Sequence, residues 1–473
     1  MKMSILSRLL SIALLAAVAM PATASDVQWT SSTDQARWIT RTDLTVTPFN
    51  QDEVNDVMVT QYKEQQMLGF GGCFGELGWD ALQLLDEADR KAVMRQLFDA
   101  NDGVGFAFCR TPIGANDFAR DYYSLNDHKG DFKMRHFSID RDRTGLIPYI
   151  KAALDVNPQL RLWACPWTPP TWMKVNNHYA TKAGQGNGYP GPDMTHGQDQ
   201  FILKKKYLEA YATYFSKYLT AYRREGINIS MIMFQNEPYT INIWPNCSWS
   251  PQGTRLFLGK YLGPKLQKEH PGVQMWYGTM NTNNLDEVLQ VVADPVVGRY
   301  IAGVGFQWEG KDIVKPMRRK YPLMPLMCTE NECGSGTNDW AAAEHTLDMV
   351  KSYIDSGVNA YMYFNMVLKD KGTSSWGWDQ NTLVVVNSAD RTVTYTPEFY
   401  LMKHLSHHIK PQAVKLKTMG NDESMLAFRN PDGGIVVFVA NKQSHASKMK
   451  IAAEGHVIHA QLEAHSFNTF TIK

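Results

Sequence analysis

A (β/α)8 barrel followed by a small antiparallel β domain is the architecture this 473-residue sequence predicts. Between residues 60 and 396, eight short β-rich apolar runs alternate with longer amphipathic ones, the count of a closed barrel. Beyond Pro397 the chain changes to short runs that alternate apolar and polar residues between turn signals. The composition, 44% hydrophobic and 20% charged, supplies apolar surface for cores of that size and excludes a disordered chain. A doubly wound open sheet fits the same alternation and stays open at this level.

Residues 1–24 carry Lys2 and Arg8, then a twelve-residue apolar run (9–20) broken only by Ser11, then Ala22-Thr23-Ala24. That is the pattern of an export signal cleaved near Ala24, and twelve residues are too few to span a bilayer. With no later apolar run of about twenty residues, the mature chain is expected to be exported, periplasmic or secreted, without a transmembrane segment. Without Lys2 and Arg8 the charges are 46 positive against 47 negative, a balance that argues against nucleic acid or an anionic membrane as partner.

Residues 25–60 hold β-rich stretches at 38–47 and 57–61, which fit as further strands of the terminal β domain. The barrel is read over 61–396, with strands at 67–70, 105–110, 161–165, 229–235, 273–278, 303–307, 326–329 and 360–365. Helical patterns lie at 80–98, 144–154, 204–224, 254–269 and 340–356. In 204–224, Tyr207, Tyr211, Phe215, Tyr218 and Tyr222 recur every three or four positions, as one buried helix face requires. Residues 397–473 read as strands at 413–416, 424–429, 434–440, 448–452 and 467–472. The second and third are joined by the turn Asn430-Pro431-Asp432-Gly433-Gly434. Six scattered cysteines are too few for a disulfide scaffold. Cys109, Cys165 and Cys328 sit in apolar runs and read as buried thiols. No partners complete a zinc site around Cys328 and Cys333, so no structural metal is expected.

Barrel enzymes work at the C-terminal ends of their strands. Those ends carry Glu76, Arg110, Trp167, Asn236 with Glu237, Gln307 with Trp308, Glu330, and Phe364 with Asn365. Acids and amides bind hydroxyls and flat rings cover C–H faces, so the set suits a neutral polyhydroxylated ring. Glycosidases need one carboxylic acid to protonate the leaving oxygen and one carboxylate at the anomeric carbon. Strands four and seven lie roughly opposite across a barrel mouth, so Glu237 and Glu330 qualify, with Arg110 holding the second ionised. The negative charge of Glu330 is expected to keep Glu237 protonated. A further acid, Glu332, lies two residues on. Gly334-Ser335-Gly336 signals that the strand ends first, so Glu332 is expected to turn away. No complete dinucleotide or phosphate loop, nucleophile elbow or zinc-helix motif occurs.

Several segments, in order, resemble glycoside hydrolase family 30, the glucosylceramidase and β-1,6-glucanase group. They are Gly69-Phe70-Gly71-Gly72 with Glu76; Arg110-Thr111-Pro112-Ile113-Gly114 with Asp117-Phe118; Pro166-Trp167-Thr168-Pro169-Pro170-Thr171-Trp172; Gln235-Asn236-Glu237-Pro238; Thr329-Glu330; and Trp376-Gly377-Trp378. The resemblance implies a barrel fused to a β-sandwich and a retaining mechanism on β-glycosides without cofactor. It implies Glu237 as acid/base, Glu330 as nucleophile, Asn236 on the 2-hydroxyl, and Glu76 and Trp167 on the distal hydroxyls. Arg110, Gln307, Trp308, Phe364, Trp376 and Trp378 would complete the sugar site. The expected substrate is a neutral β-linked glycan or glycoside, of the β-1,6-glucan or glucosylceramide type. A β-xylosidase of the same family and a catalytically inactive glycan-binding protein are the alternatives.

Overall fold

The computed structural model describes residues 26–184, 186–421 and 423–473; the segment read as an export signal lies outside them. Eight parallel strands close into a barrel, so the open sheet is excluded. In chain order they are Gly69–Cys73, Phe108–Pro112, Arg161–Cys165, Ile229–Met233, Gln274–Met280, Ile301–Gln307, Leu326–Glu330 and Ala360–Asn365. The second strand starts three residues later than its apolar run suggested, because Gly105 takes a positive φ (69°) and turns the chain first. Phe108, Trp163, Met231, Met233, Trp276, Met327 and Met362 fill the interior as a packed core. The first strand lies so close to the second that a Cβ at Gly71 would come within 1.7 Å of the Phe108 carbonyl oxygen. Only glycine fits there.

Of the helices, Lys205–Arg224 buries Tyr211, Phe215, Tyr218 and Tyr222 as its periodicity required. The pattern at 80–98 is two helices, Glu76–Gln83 and Glu87–Phe98, separated where the Asp86 carboxylate accepts from the Asp89 N–H and starts the second. The pattern at 254–269 begins earlier, at Pro251 behind the Ser250 cap, and contains one π turn, Leu258–Leu262.

Ten strands form the second sheet, in the order Ile39–Arg41, Val27–Ser32, Ser466–Ile472, Ile435–Asn441, Met425–Arg429, Val414–Gly420, Val57–Gln66, Ser447–Ala453, His456–Leu462 and Thr45–Pro48. It encloses one core that includes Trp29, Val57, Leu416, Val437, Ile451, Ile458 and Phe470. Strand Val57–Gln66 continues well past residue 60: its second half is polar and exposed, yet its backbone still pairs with Val414–Gly420. At the junction, the buried His404 of helix Pro397–Ser406 sits 2.9 Å from both Thr469 Oγ1 and Ser32 Oγ. The Trp38 ring packs on His404, His407 and His408 at 5.0–5.4 Å. All six cysteines are free and buried. Among the described residues no helix is long and apolar enough to cross a membrane, and no group of three or more His, Cys, Asp or Glu could hold a metal ion.

Candidate active site

A cavity of about 650 Å³ opens at the C-terminal end of the barrel, with Asp117, Trp167, Asn236, Glu237, Trp308 and Glu330 in its wall. The chain reaches Glu237 through a tightly pinned segment. The Asn236 N–H donates to the Pro166 carbonyl (2.7 Å), Gln235 Nε2 to the Trp167 carbonyl (2.6 Å), and the Glu237 N–H to Thr279 Oγ1 (3.2 Å). Each bond ties the end of the fourth strand to a neighbouring one. Glu237 and Trp308 both hold positive φ (46° and 50°), a backbone state unfavourable for side chains of that size, and at Glu237 those ties maintain it. Glu330 is the last residue of the seventh strand.

Arg110 sits behind the cavity, wholly buried, its guanidinium 4.0 Å from the centre of the Trp167 ring and 4.9 Å from that of Trp163. Its Nη1 donates to Glu330 Oε2 at 2.8 Å and its Nη2 to Asn236 Oδ1 at 2.6 Å. Thr279 Oγ1 and Gln307 Nε2 also donate to that Asn236 oxygen, at 3.0 and 3.2 Å. With its carbonyl so occupied, Asn236 is left to offer its NH2 to the cavity it lines.

Gln307 joins the two acids. Its Nε2 lies 3.1 Å from Glu237 Oε1 and 3.4 Å from Glu330 Oε2. Those two oxygens are therefore separated by no more than the lower edge of the spacing used by inverting glycosidases, about 6.5–9.5 Å, and the spacing of retaining ones, about 5–5.5 Å, is accommodated. Thr329 Oγ1 donates to Gln307 Oε1 (2.8 Å), which fixes the amide so that its NH2 faces the carboxylates.

Burial raises the pKa of both acids. For Glu237 it is the largest influence, and the charge of Glu330, the cause expected from sequence, is the second; together they push Glu237 up to about 8. For Glu330, burial is opposed by the charge and hydrogen bond of Arg110. The acid clamped by the cation therefore ionises first, and its neighbour keeps the proton. Asp117 is driven well above the usual carboxylate range by burial and then by both glutamates, and its Oδ1 has no hydrogen-bond partner.

Of the residues singled out from sequence, Glu237, Glu330, Asn236, Trp167, Trp308 and Trp378 line the cavity. Arg110, Gln307 and Phe364 stand behind that lining, the first two as supports of the acids. Phe364 packs beside Trp167, with ring centres 6.2 Å apart. Trp376 is half-buried, packs on Tyr122 and lies 6.5 Å from Trp378. Glu76 does not reach the cavity: Arg141 Nε and Nη2 donate to its two oxygens at 3.0 Å, and the Arg120 N–H donates at 2.9 Å. Its helix, whose Leu77 N–H bonds the Phe118 carbonyl, instead braces the turn that presents Asp117. Asp117 is the cavity acid that the strand-end rule missed, because it lies seven residues beyond Arg110 in the connecting loop. Gln380 and Trp244 were missed for the same reason. The seventh strand ends at Glu330, as Gly334 and Gly336 suggested. Glu332, however, stays at the cavity edge, 3.3 Å from His345 Nε2.

The chain matches the model of the glycosyl hydrolase family 30 TIM-barrel domain over residues 67–409 and that of the family's β-sandwich domain over 412–470. It is 29% identical over 410 residues to putative glucosylceramidase 1 of Caenorhabditis elegans, covering 81% of this chain and 75% of that one. It is 25% identical over 396 residues to an endo-1,6-β-D-glucanase of Trichoderma harzianum, covering 80% and 78%. The crystal structure of SrfJ from Salmonella typhimurium superposes with a TM-score of 0.84 at 23% identity, covering 94% of this chain and 99% of that one.

Proposed function

Because the chain belongs to glycosyl hydrolase family 30, we propose that this glycosidase is an exported enzyme that cleaves neutral β-D-glucosides with retention, β-1,6-linked glucan ahead of glucosylceramide. The observation that carries the mechanism is the unequal pair. One acid is clamped to a buried guanidinium, the other is pushed up to about 8, and one amide nitrogen touches both. Glu330 attacks the anomeric carbon while Glu237 gives its proton to the glycosidic oxygen, so the C–O bond breaks and a glycosyl ester forms on Glu330. Glu237, now ionised, takes a proton from water, which attacks the same carbon and releases Glu330. The Asn236 NH2 suits the 2-hydroxyl, and a protonated Asp117 with Gln380 suits the distal hydroxyls, with Trp167 and Trp378 beside the ring.

The trapping experiment uses a 2-fluoro-β-glucoside with an activated leaving group and mass spectrometry of the digested protein. Label on Glu330, lost in Glu330→Gln and kept in Glu332→Gln, is the expected result. Label on Glu332, or on neither acid in an enzyme that turns over aryl β-glucosides, overturns the assignment. No turnover of any aryl β-glycoside would leave a glycan-binding protein.

A further inference from the structure

Beyond the catalytic cavity the surface continues into a second depression of about 460 Å³, and the two share Thr240, Asn281 and Glu309 in their walls. The second depression lies above the ends of the fourth, fifth and sixth strands. Tyr239 and Thr240 follow Glu237 after Pro238, Asn281 to Asn283 follow strand Gln274–Met280, and Glu309 lies just past strand Ile301–Gln307. This sector belongs to the proton donor: a leaving group that takes its proton from Glu237 departs on this side.

The lining is mostly polar. His196, Asn281, Asn283, Glu287 and Glu309 present amides, carboxylates and an imidazole, and Tyr239 adds an aromatic ring. Among the described residues no aliphatic side chain lines it. The groove is held in shape from beneath. The Tyr239 N–H donates to Asn281 Oδ1 (3.2 Å), His196 Nδ1 contacts the Tyr239 carbonyl (2.7 Å), and Thr282 Oγ1 donates to Glu287 Oε2 (3.4 Å). Hydroxyl-rich chains find donors and acceptors along such a surface. An acyl or sphingoid chain gains only where apolar area leaves water, about 25 cal/mol per Å², and this wall offers little to cover.

We infer that this groove is a leaving-group subsite for a second and third sugar of an oligosaccharide, and that it makes a glycan, not a lipid, the favoured aglycone. The inference rests on the β-glucosidase reading above and deepens it. Each sugar seated there gains neutral hydrogen bonds worth about 1 kcal/mol apiece, so kcat/KM should climb about tenfold from gentiobiose to its β-1,6-linked trisaccharide. Octyl β-glucoside should stay at or below the level of 4-nitrophenyl β-glucoside. In Asn283→Ala and Glu287→Gln, two surface changes made separately, the ratio of kcat/KM on the trisaccharide to that on the aryl glucoside should fall several-fold. Equal kcat/KM on di- and trisaccharide, an unchanged ratio in both variants, or preference for the octyl glucoside overturns the groove while leaving the glucosidase standing. Turnover of neither aryl nor oligomeric β-glucosides overturns the glucosidase reading itself, and the groove's role with it.

Discussion

Replacing Glu237 by Gln removes the group that the site has set to hold a proton. Its carboxyl is buried against a second acid, and its midpoint moves from 4.5 to about 8. At about 1.4 kcal/mol per unit, that environment favours the neutral form by on the order of 5 kcal/mol. In the wild type, kcat/KM should trace a bell whose alkaline limb falls near pH 8 and whose acid limb reports the ionisation of Glu330. Glu237→Gln keeps the shape and the contact with Gln307 Nε2 but cannot donate a proton. Its kcat/KM on gentiobiose should fall by about 10²–10⁴-fold, the usual contribution of a positioned acid. On a dinitrophenyl β-glucoside, whose leaving group departs without a proton, the loss in kcat/KM should be far smaller and the alkaline limb should flatten. The assay is the initial rate from pH 4 to 10 on both substrates for both proteins. An alkaline limb that survives in Glu237→Gln, or equal losses on the two substrates, would refute Glu237 as the acid.

The same substitution should stabilise the protein at alkaline pH. A raised carboxyl binds its proton more tightly folded than unfolded, so wild-type stability drains between about pH 4.5 and 8; Glu237→Gln escapes this and should melt a few degrees higher at pH 8.5, with no difference at pH 4. Arg110→Met leaves Glu330 as a buried carboxylate without its cation; denaturant unfolding at pH 7 should show a loss of about 3–5 kcal/mol, and the acid limb of kcat/KM should move upward. The junction should be acid-labile. Burial, with Lys403 and His407 nearby, depresses His404 to about 3, so its contribution is complete above the unfolded value near 6.5 and drains as pH falls toward 3. Melting temperature should drop between pH 7 and 5, and His404→Gln should flatten that slope; an identical slope would place the sensitivity elsewhere.

Alternation of apolar and amphipathic runs made the barrel legible, and the ends of those runs exposed Arg110, Asn236, Glu237, Trp308 and Glu330. What stayed hidden was whatever depends on loops. Asp117 enters the cavity through a turn braced by Glu76, and nothing local to either residue marks one as facing the cavity and the other as facing arginines. Arg110 pairs with Glu330 as expected, but counting it and Gln307 among the residues that touch substrate placed both one layer too far forward, since sequence position fixes which strand end a residue occupies and not its depth. Strand Val57–Gln66 faded for another reason. Its outer half is held by backbone pairing and by polar contacts such as that of Lys415 with Glu64, and a hydrophobicity pattern reports burial, not pairing.

Strand Val27–Ser32 lies between Ile39–Arg41 and Ser466–Ile472, and Val27 pairs with Ile472. The two partners are separated by nearly the whole chain, and that has a consequence in time. The first strand keeps one edge open until Ser466–Ile472 is available, and that segment follows every barrel strand in the chain. The sheet domain can close only as a late, whole-chain event, whereas the barrel strands are paired chiefly with sequence neighbours. Loss of Ser466–Ile472 therefore strips one edge of Val27–Ser32, at the opposite end of the described chain, of its partner.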